Sequence, residues 1–179
     1  MRLFVALDLP PKAKDSLVDL QQRLLESGVN GRPTRRENLH LTLQFLGEVD
    51  KEQTPAICEA MERAVDGMLA PMVYVSGVGA FVRAAGDTVF AQIGGDVMAL
   101  ERLQDAAARA LVPWGLRRES RPFTPHITLL RGAAFSNNTL RVRSENFFLS
   151  TVCVYASHLG AGPSGAPQYE KIYSRILPR

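Results

Sequence analysis

Two tripeptides, His40-Leu41-Thr42 and His126-Ile127-Thr128, constrain this chain more than any other feature. Each sits in strand-like text, NLHLTLQFLG and TPHITLLRG, and each is followed by leucine. Side chains of an extended strand alternate between faces, so His and Thr share one face while Leu41, Leu43, Ile127 and Leu129 take the other. Each motif therefore anchors in a core and shows an imidazole and a hydroxyl to a cleft. The surroundings repeat as well. Phe4 in RLFVAL precedes His40 by 36 residues, and Phe90 in TVFAQI precedes His126 by the same 36. A shift of 86 lays Phe4 on Phe90, Leu7 on Ile93, Leu17 on Leu103, Leu25 on Leu111, Arg35 on Arg121 and the two motifs on each other. This reads as an internal duplication of strand, helix, loop and motif strand. A pseudo-two-fold axis would bring the motif strands together, with two imidazoles and two hydroxyls facing one another.

Length and composition are those of one ordinary globular domain, or of two intimately packed lobes, over residues 1–179: 46% hydrophobic and 22% charged residues suffice for a real core. No apolar run reaches the eighteen or so residues that span a bilayer, so no membrane association is expected. Asp8 and the Pro10-Pro11 pair interrupt the opening apolar stretch too early for a secretory leader, which makes the cytoplasm the expected location. Cys58 and Cys153 are too few and too isolated for a disulfide framework or a zinc site. A monomer is expected. The formal charge is only +3, yet seventeen arginines stand against four lysines. Arg32, Arg35 and Arg36 crowd the text before the first motif, and Arg117, Arg118 and Arg121 the text before the second. Genomic base composition is one explanation of this excess; the functional one is that arginine's planar fork suits phosphate, though a long nucleic-acid surface would be more basic than this.

Residues 3–7 read as a buried strand. Pro10-Pro11 opens a helix carrying Ala13, Leu17, Leu20 and Leu24, which Gly28 closes. Residues 29–37 read as a polar loop, and the first motif strand as about 38–45, ended by Gly47. A second helix starts near Thr54-Pro55 with Ile57, Met61, Val65 and Met68 on one face. Strands follow over 72–78 and 88–93, and Asp96 caps a third helix that Pro113 and Gly115 terminate. The second motif strand spans about 124–131, and 132–145 reads as surface loop. FFLSTVCVYASHL is a β-branched and aromatic strand, and Gln168 to Ile176 a last one. The fold class is α+β: two antiparallel sheets lining a central cleft, helices outside.

The opening MRLFVALDLP, then ENLHLTLQFLGEV, then RPFTPHITLLR, in that order, resemble the 2H phosphoesterase superfamily and, within it, the RNA 2′,3′-cyclic phosphodiesterase family, historically called 2′-5′ RNA ligase. These stretches span most of the first 131 residues; the tail is similar only loosely, at Pro167 to Glu170. The resemblance implies the bilobal fold and hydrolysis of RNA 2′,3′-cyclic phosphate ends to 2′-phosphomonoesters. Such a reaction needs a base to activate water and an acid, in line beyond phosphorus, to protonate the departing ribose oxygen. His40 and His126 suit both tasks, since imidazole titrates near neutrality. The symmetry does not say which is acid and which is base. Thr42 and Thr128 would meet the non-bridging phosphate oxygens. Arg131 matches the arginine of the family's His-x-Thr-x-x-Arg stretch and would neutralise charge developing on phosphate.

Phe45, five residues after His40, falls on the core face by strict alternation; only a bulge near Gly47 would turn it toward a base. Phe123 and Tyr169 are further candidates for base stacking, while His158 lies outside any motif and is structural or exposed. No cofactor is expected, because two histidines without convergent carboxylates or thiolates make a poor metal ligand set. The partner is an RNA with a 2′,3′-cyclic phosphate terminus or a small cyclic nucleotide. Two other readings keep the same residues: a 2′-5′ ligase or phosphodiesterase, or a non-catalytic binder of phosphorylated RNA ends. Intact histidines in both motifs weigh against the binder, since arginine or lysine alone would serve binding.

Overall fold

A computed structural model describes residues 1–115, 122–135 and 141–179. The first strand, β1 (Arg2–Asp8), has apolar residues on both faces and is buried on both. Pro11 at the first turn then starts helix α1 (Pro11–Glu26), whose buried stripe is Ala13, Leu17, Leu20 and Leu24, with Gln21 beside it. Strands β2 (Asn30–Pro33) and β3 (His40–Glu48) follow, then helix α2 (Thr54–Ala64). Next come β4 (Met72–Phe81), β5 (Asp87–Gly95) and helix α3 (Val97–Ala110), where Asp96 accepts a hydrogen bond from the Ala99 N–H as the cap its position predicts. The chain closes with β6 (His126–Ala134), β7 (Phe147–Phe148), β8 (Thr151–His158) and β9 (Gln168–Ile176). Among the described residues no helix is long and apolar enough to cross a membrane.

The fold is α+β, as expected, and its sheet is antiparallel, in the order β7-β4-β5-β6-β3-β1-β8-β9 with β2 added beside β6. The two sheets expected from the sequence are thus two halves of one hydrogen-bonded surface. They are joined at the motif strands, where Leu41 stands opposite Ile127. Each half reads outward in the same way: motif strand, early strand, then two more strands. Leu3, Val5, Leu7, Leu41, Leu43, Ile127 and Leu129 enter the main core under the helices. The other face, on which Phe4, Ala6, Cys153 and Tyr155 form a small cluster, lines the cleft.

Register refines the repeat. Thr42 lies opposite Ala6, and Thr128 lies opposite Phe90. The partner strands are therefore related by an offset of 84, two residues short of the 86 that aligns the motifs. Because strand side chains alternate with period two, Phe4 and Phe90 still share the cleft face.

A bulge interrupts each motif strand at the same place. In β3 the partners step from Ala6–Thr42 to Val5–Gln44, leaving Leu43 as the extra residue. In β6 they step from Phe90–Thr128 to Val89–Leu130, leaving Leu129. The burial pattern of the two strands then matches through six residues, with two consecutive buried positions followed by an exposed one. That shift turns Phe45 and Arg131 onto the cleft face. Phe45 is thus not a core residue: its side chain is 66% exposed.

Other boundaries differ from the sequence reading for physical reasons. Asn30–Pro33 is a strand rather than loop, because β6 parts from β3 beyond Ile127 and its free backbone edge takes β2 as partner. Gly47 stays inside β3, paired with Leu3. Helix α2 ends before Met68, and β6 runs on to Ala134. FFLSTVCVYASHL divides into two strands at opposite sides of the sheet, β7 on β4 and β8 on β1. Buried Leu149 keeps the text apolar across the break, while its N–H bonds Pro71 O instead of a strand partner. Arg117, Arg118 and Arg121 lie outside the described residues.

Gln21 of α1 holds the bulged segment in place: its buried amide donates to Leu129 O and to Thr34 O, each at 2.8 Å. Leucine at this position would keep the volume and remove both donors. Gln21→Leu is expected to lower stability by about 1–3 kcal/mol, because Thr34 O loses its bond in a partly buried setting. Urea unfolding of the two proteins measures the difference; equal midpoints would remove Gln21 from this role.

Candidate active site

His40 and His126 are the first residues of β3 and β6. Residues flanking a directly opposed antiparallel pair also face one another, so the Leu41–Ile127 pairing sets His40 beside Thr128 and Thr42 beside His126, all on the cleft face. The four motif side chains are thereby neighbours on one face of the sheet.

Each ring is oriented by the carbonyl two residues before it. His40 Nδ1–H donates to Asn38 O at 2.7 Å, and His126 Nδ1–H donates to Thr124 O at 2.8 Å. These bonds commit Nδ1 as the protonated nitrogen of the neutral ring and leave Nε2 as its acceptor. In His40 that atom accepts from the Thr42 hydroxyl at 3.0 Å. Asn38 is itself buried and donates from Nδ2 to Pro167 O at 2.9 Å, tying the loop before β9 to the base of β3.

Aromatic rings bed both imidazoles. Phe4 lies 5.0 Å from His40, and Tyr169 meets it edge-on at 5.4 Å. Phe90 and Phe81 lie 5.3 and 5.0 Å from His126, both edge-on. Gly79 makes room for this packing, since a Cβ there would stand 2.8 Å from the Phe90 ring. Tyr169 therefore belongs to the site, and Phe45 stands at its edge, 6.0 Å from Phe4. Phe123 instead packs against the main core. His158 is exposed and bonds Glu170 at 2.9 Å, clear of the site, in keeping with its position outside the motifs.

The electrostatics follow from this bedding. Burial pushes the His40 imidazole down to about 4; its bond to Asn38 O opposes the shift, and the Arg131 and Lys14 charges add to it. Burial also lowers His126, again against the bond to its carbonyl and with help from Arg131. Arg131 thus acts on both rings from its bulged position. Asp8, opposite His40 in the β1–β3 register, is clamped by Lys14 and Lys171, each at 2.8 Å. Burial would raise its carboxyl, but the two lysines outweigh that and hold it below its usual value.

Among the described residues no three His, Cys, Asp or Glu side chains come together as a metal site. A cavity of about 650 Å³ lies between α1 and residues 142–148, and no motif residue lines it. The aromatic bed is what the sequence reading passed over. Phe4 and Phe90 carried a signal, since the repeat aligned them, whereas Phe81 and Tyr155 carried none.

The buried imidazoles make stability depend on pH. Folded His40 binds its proton less readily than the unfolded chain, which titrates near about 6.5. Between about pH 6.5 and 4 the unfolded state holds more protons, so stability falls as pH drops through that window. The urea midpoint is expected to decline from pH 6.5 to 5, and less so in His40→Gln. Identical pH slopes for the two proteins would contradict a buried neutral His40.

Residues 7–89 match the family described as LigT like Phosphoesterase. The chain is 33% identical over 131 residues to the RNA 2′,3′-cyclic phosphodiesterase of Thermotoga maritima, covering 73% of this chain and 70% of that protein. With the Escherichia coli protein of the same name it shares 32% over 142 residues, 74% and 73% of the two chains. Solved structures of E. coli LigT superpose over 99% of this chain and 98% of theirs. The complex with NADP+ gives a TM-score of 0.81 at 26% identity. The complex with 3′-AMP gives 0.77 at 28%. By relatives, fold and the order of its motifs, this chain belongs to the LigT-like RNA 2′,3′-cyclic phosphodiesterase family of 2H phosphoesterases.

Proposed function

We propose that this protein opens RNA 2′,3′-cyclic phosphate ends to 2′-phosphomonoesters by acid–base catalysis from His40 and His126, without a metal ion. The observation that carries this reading is the matched commitment of both Nδ1–H groups to backbone carbonyls, which leaves two Nε2 atoms for proton transfer on the shared cleft face. One Nε2 takes a proton from water as its oxygen bonds to phosphorus. The other, carrying a proton, gives it to the ribose 3′ oxygen as the P–O3′ bond breaks. Thr128 donates to a non-bridging oxygen, Thr42 does the same once substrate draws its hydroxyl away from His40 Nε2, and Arg131 offsets the charge that develops there. Phe45, beside Phe4, and Tyr169, edge-on to His40, would meet the terminal base or sugar. The names of the curated relatives support the same substrate class. In this proposal the chain is one domain of two pseudo-symmetric lobes, and the site lies on the axis between them.

The deciding assay supplies an oligoribonucleotide ending in 2′,3′-cyclic phosphate together with excess chelator, and maps the product end. A 2′-phosphate formed at full rate is expected. His40→Ala and His126→Ala should each lose about 10²–10⁴-fold in turnover. The double variant should lose far less than the product of the two, because the pair acts as a unit. A need for divalent ion, a 3′-phosphate product or a near-normal single variant would overturn the mechanism.

The pH–rate profile should be bell-shaped, because one imidazole must be neutral and the other protonated. Burial lowers both in the free enzyme, so kcat/KM should peak on the acid side of about 6.5. A bound phosphate anion raises imidazole pKa values, so the kcat profile should lie at higher pH. Both limbs belong to the coupled pair. A chemical step rising monotonically from pH 5 to 9 would leave at most one histidine in proton transfer.

A further inference from the structure

Strand β2 places Arg32 directly opposite Arg131 of β6. Directly opposed residues on neighbouring strands point to the same face, so Arg32 shares the cleft face with Arg131, one strand further from the motif residues. Like charges in that arrangement are destabilising in a bare sheet. The other two arginines of this segment are neutralised: Arg35 pairs with Glu37, and Arg36 pairs with Asp15 at 2.6 Å. Among the described residues, no acidic side chain pairs with Arg32.

Arg32 is also held firmly where it stands. The preceding Gly31 has φ +147°, and a Cβ there would come within 3.1 Å of the Ala133 Cβ and 3.2 Å of the Leu130 Cβ. Only glycine lets β2 lie this close to β6 and make the irregular step that brings Arg32 into register. Beyond Pro33, the Thr34 N–H donates to Leu129 O at 2.8 Å, and Gln21 holds both carbonyls. The guanidinium therefore projects from a pinned strand beside the cleft.

We infer that Arg32 binds the internucleotide phosphate next to the terminal cyclic phosphate, so that the site prefers the end of an RNA chain to a free cyclic nucleotide. This rests on the function proposed above. A cyclic phosphodiester carries one negative charge, which Arg131 already balances. A second arginine one strand over, about 4.8 Å away between backbones and with no acidic partner among the described residues, is suited to a second anion. In an RNA chain the adjoining phosphodiester supplies it.

The test compares kcat/KM for a nucleoside 2′,3′-cyclic phosphate with that for a dinucleotide ending in the same cyclic nucleotide. In Arg32→Gln the preference for the dinucleotide should shrink about tenfold, chiefly through KM, as loss of a charge-assisted contact implies. The slope of log KM against log salt for the dinucleotide should fall by about 0.7, one phosphate contact on a single strand. Arg32→Lys should restore part of the preference. An unchanged preference ratio, whether both rates fall or neither does, would overturn the inference. If wild-type protein opens neither substrate, the proposed function fails, and equilibrium binding then decides for Arg32 by itself. Its replacement should weaken a 2′-phosphate-ended dinucleotide about tenfold more than a nucleoside 2′-phosphate; equal or absent loss would overturn the assignment.

Discussion

Leu41 and Ile127 stand opposite each other where the two halves of the sheet meet, and the arrangement of the cleft depends on that pairing. Both side chains are fully buried in the core beneath the helices. Alternation then sends the residues on either side, His40 and Thr42 on one strand and His126 and Thr128 on the other, to the opposite face. One apolar contact thereby sets the registry of four polar groups. Beyond it the strands part, which opens the cleft and leaves an edge of β6 for β2 to occupy.

The paired bulges act second. A strand without interruption would point Phe45 and Arg131, each five residues past its histidine, into the core. The extra residues Leu43 and Leu129 reverse this, and Gln21 supplies hydrogen bonds where the β6 ladder is irregular. A guanidinium thereby reaches both imidazoles from the one strand. The two halves are alike in backbone through the bulge, and the residue two positions beyond it makes them unlike in chemistry: an aromatic ring at Phe45, a cation at Arg131.

The histidines show how a site of this kind is stabilised against its own polarity. Rings of Phe4, Tyr169, Phe81 and Phe90 bury the imidazoles, which favours their neutral form. The carbonyls of Asn38 and Thr124 keep Nδ1 satisfied in that setting. The Arg131 charge disfavours protonation further, and an anionic substrate reverses that influence when it enters. In the free site both imidazoles are thus biased toward the neutral form.

Much of this was legible in the chain itself. The His-x-Thr repeats, their equal spacing from Phe4 and Phe90, and the apolar residues between them follow from period-two alternation, a local property of extended backbone. Helix α3 and its Asp96 cap, the span of β9 and the α+β class follow from local patterns of the same kind. Interruptions of the pattern were not legible. Neither bulge has a residue signature at Leu43 or Leu129, so Phe45 read as core and the odd offset of Arg131 from Thr128 passed without remark. β2 has no strand text in Asn-Gly-Arg-Pro, and exists because a neighbouring edge had no partner. FFLSTVCVYASHL reads as continuous because burial keeps it apolar, whereas its two pieces pair with different strands. The sequence by itself determined which residues are the candidates for chemistry and which face of each motif strand they share, because side-chain identity and alternation are settled within a few bonds. Only the tertiary structure decided where alternation breaks and which edges pair, because backbone hydrogen bonds must be satisfied by partners far away in the chain.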